Sequence, residues 1–114
     1  MADEGPTPLI IITDAGQDTD DEMALVLLRA LVDLGLVEPL AVVANLRPAR
    51  ARARLVRGTL DVLGLGRVPV ACGSDGGSAT HEDTFSESAA RYLPADGDGR
   101  IAADASALLS LIHI

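Results

Sequence analysis

The chain contains no lysine; all nine of its basic residues are arginine. A lysine Schiff base and a phosphate loop ending in Gly-Lys-Ser/Thr are therefore excluded. Tryptophan is absent as well, and the aromatic residues reduce to Phe85 and Tyr92. That argues against stacking platforms for single-stranded nucleic acid and leaves the core to Leu, Val, Ile and Ala. Cys72 is the single cysteine, so neither an intrachain disulfide nor a thiolate metal cluster can form. Apolar runs stay below the ~18 residues of a membrane span. The start, Met1-Ala2-Asp3-Glu4-Gly5-Pro6, lacks the basic and apolar regions of a secretory signal. A soluble cytoplasmic protein without a membrane partner is expected.

With 114 residues, 48% of them hydrophobic, the chain suffices for one small domain with a buried core. A net charge of −8 opposes phosphate backbones and suits cation binding, so no nucleic-acid partner is expected. The arginines of residues 47–57 read as a solvated helix face paired with local acids.

Residues 1–8 form a loose arm, and 9–114 the domain. Leu9 to Thr13 is a β-branched apolar run of the kind that forms a buried parallel strand. A polar loop from Asp14 to Asp20 follows, then a helix from about Asp21 to Leu34, apolar almost all round and hence expected to be largely buried. Thr19 and Glu22 have capping-box spacing, and Gly35 is the expected stop. Leu40 to Ala44 is a second strand ending at Asn45, Ala49 to Leu63 a second helix, and Val68 to Ala71 a third strand beginning near Pro69. A long loop runs from Gly73 to Thr84. A short helix over Ser86 to Leu93, a linker over Ala95 to Arg100 and an apolar helix from Ala103 to Ile114 complete the chain. This order predicts an α/β, Rossmann-like parallel sheet with flanking helices. Asp14, Asn45 and the 73–84 loop should converge at its carboxyl edge, where such sheets bind ligands. The uncapped apolar end at Ile114 predicts a domain truncated at its C-terminus, the N-terminal part of a larger fold.

Asp14, Asp18, Asp20 and Asp21 crowd the first loop. Four like charges so close repel one another unless a cation or strong donors offset them. Favourable placement of acids at a helix N-terminus accounts for Asp20, Asp21 and Glu22, but not for Asp14 and Asp18. A hard divalent cation, Ca²⁺ or Mg²⁺, accounts for all four. The spacing is not that of an EF-hand loop, which needs Gly at its sixth position and Glu at its twelfth; here a strand precedes the loop and a helix starts within it, so the ion would sit over the sheet edge.

The segment Ile10-Ile11-Ile12-Thr13-Asp14-Ala15-Gly16-Gln17-Asp18-Thr19-Asp20-Asp21 resembles the N-terminal signature of the inosine/uridine-preferring nucleoside hydrolases, Asp-x-Asp-Pro-Gly-x-Asp-Asp. Leu40-Ala41-Val42-Val43-Ala44-Asn45 is similar to that family's second strand. Val68-Pro69-Val70-Ala71-Cys72-Gly73 is similar to its third. The resemblance spans about residues 9–75. Ile12 stands where the family has its first Asp, Ala15 where it has Pro, and the loop carries two additional residues before the Asp pair. A nucleoside-hydrolase-like branch shares this longer form.

The resemblance implies a hydrolase that cleaves the N-glycosidic bond of ribonucleosides in purine or pyrimidine salvage, using a calcium-bound water. It implies Asp14 as calcium ligand and general base, Asp21 as calcium ligand with Asp18 a possible third, and Asp20 and Asn45 as ribose contacts. Ca²⁺ is favoured over Mg²⁺, the partner is a small-molecule nucleoside, and the complete protein would be a homo-oligomer. Two other readings stay open: a non-catalytic cation- or partner-binding remnant, and a Mg²⁺-dependent phosphoryl-transfer enzyme. His81 could donate a proton but reads as a solvated loop residue, and Cys72 reads as a small buried hydrophobe.

Overall fold

The first strand begins before the apolar run that announces it. In the computed structural model, which describes residues 5–16, 19–76 and 99–112, β1 spans Thr7–Thr13. Thr7 donates its N–H to the carbonyl of Leu36 at 3.0 Å, so the expected 1–8 arm gives up its last two residues to the sheet. α1 (Thr19–Asp33), β2 (Val37–Ala44), α2 (Ala49–Val62) and β3 (Val70–Cys72) follow. The last elements are a two-residue strand, β4 (Ile101–Ala102), and the short helix α3 (Ala105–Ser110). The helix expected at Ser86 to Leu93, and the loop beyond Gly76, lie outside the described residues.

The strands run parallel in the order β1-β2-β3-β4. The β1–β2 register shifts between Leu9 and Ile10, opposite Pro39; proline has no N–H to give to a ladder, and such positions collect bulges. Pro69 lies just outside β3 and contributes only its carbonyl, which accepts from the Val42 N–H at 2.9 Å.

Both long helices stop at glycine. Gly35 and Gly64 take φ values of +73° and +74°, where a side chain would be strained. Each closes a Schellman motif: Leu36 N–H donates to Leu31 O at 3.0 Å, and Leu65 N–H to Leu60 O at 2.8 Å. At its other end α2 starts after Pro48, which supplies no side-chain cap; Asp75, from the loop after β3, accepts the Ala49 N–H at 3.0 Å instead.

The core lies between the sheet and α2, with Ala53, Leu55, Val56 and Leu60 packed with Val42, Ala44 and Val70. α1 packs on β2 and touches α2, so both helices cover one face of the sheet. Only Leu25 and Leu28 of α1 are buried. Met23 and Leu27 are 61% and 58% exposed, which corrects the expectation of a largely buried helix. A helix apolar all round needs cover on two sides, and among the described residues α1 has the sheet on one.

The arginines depart further from expectation. Arg52 and Arg57, in the middle of α2, are 0% and 1% exposed. Buried guanidinium groups are tolerated only when their donors are used. Arg57 donates from Nη1 to Val68 O at 2.6 Å and from Nη2 to Leu65 O at 3.3 Å, and pairs with Asp61 at 3.2 Å. It thereby fastens the turn that leads into β3. Asp61 also receives Arg100 at 2.8 Å, joining that turn to the approach to β4.

Candidate active site at the carboxyl edge of the sheet

Thr13, Ala44 and Cys72 are register partners at the ends of β1, β2 and β3. One step further along the chain bring Asp14, Asn45 and Gly73 into a row across the carboxyl edge. Asn45 N–H donates to Thr13 O at 2.9 Å, and Gly73 N–H to Ala44 O at 2.7 Å, extending the ladder into that row. Gly73 has to be small: a Cβ there would meet Val43 Cγ1 at 3.0 Å and Asn45 Cβ at 3.2 Å.

Asp21 reaches this row from the first turn of α1. Its Oδ2 accepts from the Thr13 hydroxyl in a short hydrogen bond and from the Asp14 N–H at 3.1 Å. Thr13 is buried, so its hydroxyl is a fixed donor at the strand end. Glu22 reaches back past its expected capping partner Thr19, accepting the Gly16 N–H at 3.1 Å. Gly16 takes a φ of +107° and turns the loop toward α1.

The two carboxyl groups of the pair are pushed apart in acidity. The hydrogen bond to Asp21, then burial, then the charge on Asp21 hold Asp14 above the usual carboxylate range, against the opposing pull of its backbone hydrogen bond and of Arg52. For Asp21, burial pushes upward, but hydrogen bonds from Thr13, Asp14, the Asp14 backbone and Asp20 outweigh it and hold the group below the usual range. Of the two, Asp21 keeps its charge to lower pH than Asp14.

The sequence-derived residues thus divide. Asp14, Asp21 and Asp20 are brought together at the head of α1, and Asn45 stands beside Asp14 in the strand-end row. Asp18 and His81 lie outside the described residues. Among the described residues no group of three His, Cys, Asp or Glu side chains is arranged to hold a metal ion. The Asp14–Asp21 pair nevertheless fits a hard cation chemically: it offers closely placed oxygens whose mutual repulsion a divalent ion would relieve. A cleft of about 460 Å³ opens along the same edge, lined by Arg47, Arg50, Cys72, Gly73 and Asp75 among others.

Two contributors escape a reading of the sequence. Thr13 looks like one more β-branched strand residue, although its place directly before Asp14 is a usable signal. Arg52 looks like a solvated helix charge, yet its Nη1 donates to the carbonyls of Asp14 and Ala15 at 2.9 and 3.0 Å.

No protein-family profile and no curated protein matches the chain. Among solved structures it is similar to the type III effector protein XopQ, in a crystal structure complexed with adenosine diphosphate ribose, with a TM-score of 0.80 and 26% identity over 89% of this chain. The chain spans 31% of that protein's length. The four-stranded parallel sheet with its helices matches this nucleoside hydrolase-like neighbour. The likeness supports the nucleoside hydrolase-like superfamily, and does not extend to the inosine/uridine-preferring family expected from the motif. Among the described residues no helix is long and apolar enough to cross a membrane.

Proposed function

We propose that this chain carries the metal-binding and ribose-binding end of an N-ribosyl hydrolase site, with Ca²⁺ as its cofactor and a nucleoside or related ribosyl compound as its ligand. The observation that carries the reading is the Asp14–Asp21 pair at the carboxyl end of β1, where the Asp14 main-chain N–H and the Thr13 hydroxyl hold the Asp21 carboxylate beside Asp14. The likeness to a protein crystallised with a ribosyl ligand supports the same class of substrate.

Asp14 and Asp21 would hold the calcium, with Asp18 a further possible donor. When bound, Ca²⁺ would lower the pKa of a water and help to hold ribose hydroxyls. The chain's own groups do the rest. Thr13 Oγ1 and the Asp14 N–H keep Asp21 ionised and aimed. Asp14 accepts the proton of the attacking water as the new C1′–O bond forms. The C1′–N bond breaks, and its electron pair leaves with the base. Asp20 and Asn45 hold the sugar hydroxyls, and the surrounding carboxylates favour the positive charge that develops on the ring.

The test is release of free base from a panel of nucleosides in millimolar Ca²⁺, for the parent chain and Asp14→Asn. Turnover lower by at least about a hundredfold in the variant is expected of a lost general base. Equal turnover in both would remove Asp14 from the chemistry. A second reading, cation or partner binding without turnover, is supported by the chain's spanning 31% of the length of the similar structure. Ca²⁺ binding with no base release from any nucleoside would select it.

A further inference from the structure

Arg52 occupies an unusual position for a charged residue, fully buried between two loops of the sheet edge. Its Nη1 donates to Asp14 O at 2.9 Å and to Ala15 O at 3.0 Å, on the loop that carries the carboxylate pair. Its Nε donates to Leu46 O at 3.0 Å and its Nη2 to Arg47 O at 3.1 Å, on the loop that follows Asn45. One rigid, planar group with five donors spans both loops. The second loop has its own need for fastening: Leu46 sits at a φ of +71°, in the left-handed region that non-glycine residues avoid. Leu46 and Arg47 also donate their N–H groups to Ser74 O at 2.7 Å and Asp75 O at 2.9 Å, so the loops after β1, β2 and β3 are joined in series.

We propose that Arg52 is a positioning residue for the candidate site: its guanidinium fixes the spacing between Asp14, on the metal side, and Asn45, on the ribose side. The inference rests on the calcium reading above. Lysine could keep the charge but could not reproduce the fork, because an ammonium group has three donors on a single nitrogen.

The experiment compares the parent chain with Arg52→Lys and with Leu60→Ala, a core truncation away from the site. Calcium affinity is read by calorimetry and global stability by thermal melt. Arg52→Lys should weaken Ca²⁺ binding roughly 10–100-fold, the usual effect of losing a group that orients a metal ligand. Leu60→Ala should lower the melting temperature while leaving affinity within about twofold, because it removes packing and no orienting hydrogen bond. Parent-like affinity in a folded Arg52→Lys protein, or an equal loss in Leu60→Ala, overturns the proposal.

A second readout does not need calcium. In the metal-free protein, amide hydrogen exchange at Asp14, Asn45 and Leu46 should accelerate at least about tenfold in Arg52→Lys relative to Val42. Uniform acceleration or none overturns the proposal. If the parent binds no calcium, the functional reading fails, and the exchange pattern still decides whether Arg52 couples the loops. If Arg52→Lys does not fold, the parent's own Arg52 Nε–H resonance decides: protection from exchange supports the clamp, and exchange at the rate of a solvated arginine refutes it.

Discussion

The main-chain N–H of Asp14 donates to Oδ2 of Asp21 at 3.1 Å, tying the end of β1 to the first turn of α1. The bond fixes where the second carboxylate of the pair stands, and the buried Thr13 hydroxyl holds the same oxygen. Asp14 and Asp21 are therefore held in one arrangement, and Asp21 is more than a capping residue.

Thr13→Val keeps the shape of the strand residue and deletes the donor. Asp21 loses one of the hydrogen bonds that hold it ionised. Stability should fall by about 1 kcal/mol, below the usual ~1.5–3 kcal/mol for a bond to a charged group, because Asp21 is only half-buried. Ca²⁺ affinity, read by calorimetry, should fall about tenfold. An unchanged affinity would show that the hydroxyl does not orient Asp21.

In the metal-free chain the acid side of the stability curve should carry the signature of the pair. The folded protein holds the carboxyl of Asp14 above the value of 3.8 taken for the unfolded chain. As pH falls through the raised value toward 3.8, the folded state takes up a proton that the unfolded state does not, and stability rises. Asp21 works in the opposite sense: its value is held below 3.8, so its contribution is present above 3.8 and is lost as pH falls through its depressed value. Denaturant melts in the presence of a chelator should show that rise and then the fall. Asp14→Asn should abolish the rise, and an identical rise in the variant would contradict the raised value at Asp14.

Arg57→Met separates stability from the site. It removes the Arg57 donor from the Val68 carbonyl and leaves the Leu65 carbonyl with the Val68 N–H alone. A loss of about 3 kcal/mol is expected in chemical denaturation. Arg57 makes none of the hydrogen bonds described at Asp14 or Asp21, so Ca²⁺ affinity of the folded variant should stay within about twofold. A parallel loss of affinity would mean that the edge depends on global stability alone.

Gly73→Ala tests the strand-end row. The added methyl meets Val43, Asn45 and the Ala44 carbonyl at 3.0–3.3 Å. Overpacking of this kind costs about 1–3 kcal/mol, and the pressure should move Asn45. Binding of a ribonucleoside, the ligand class proposed above, should weaken more than Ca²⁺ binding does. Equal effects on both ligands would argue against a ribose role for Asn45.

Much of this architecture is legible in the residues themselves. The run Leu9 to Thr13, the glycine stops at Gly35 and Gly64, and the apolar stretch ending at Ala44 announce strand, helix, strand and helix in order. The pairing of Asp14 with Asp21 follows from a strand end and a helix start seven residues apart. β4 is not legible, because two residues after a Gly/Asp-rich stretch carry no periodic signal. The exposed side of α1 is misread because apolar composition reports what a helix could bury, not what stands beside it. Arg52 and Arg57 are misread for a related reason. Charged residues are rarely buried, and the carbonyls that make burial tolerable here come from loops and turns whose positions no local pattern encodes.

The central claim is that Asp14 and Asp21 form a cation site at the carboxyl edge of the sheet. Calorimetric titration of Ca²⁺ into the chain and into Asp21→Asn tests it most directly. The account predicts a saturable single-site isotherm in the parent and at least about a tenfold weaker one in the variant, which keeps the hydrogen-bonding shape but loses the charge. Heat indistinguishable from dilution in the parent, or equal affinity in the two proteins, would contradict it.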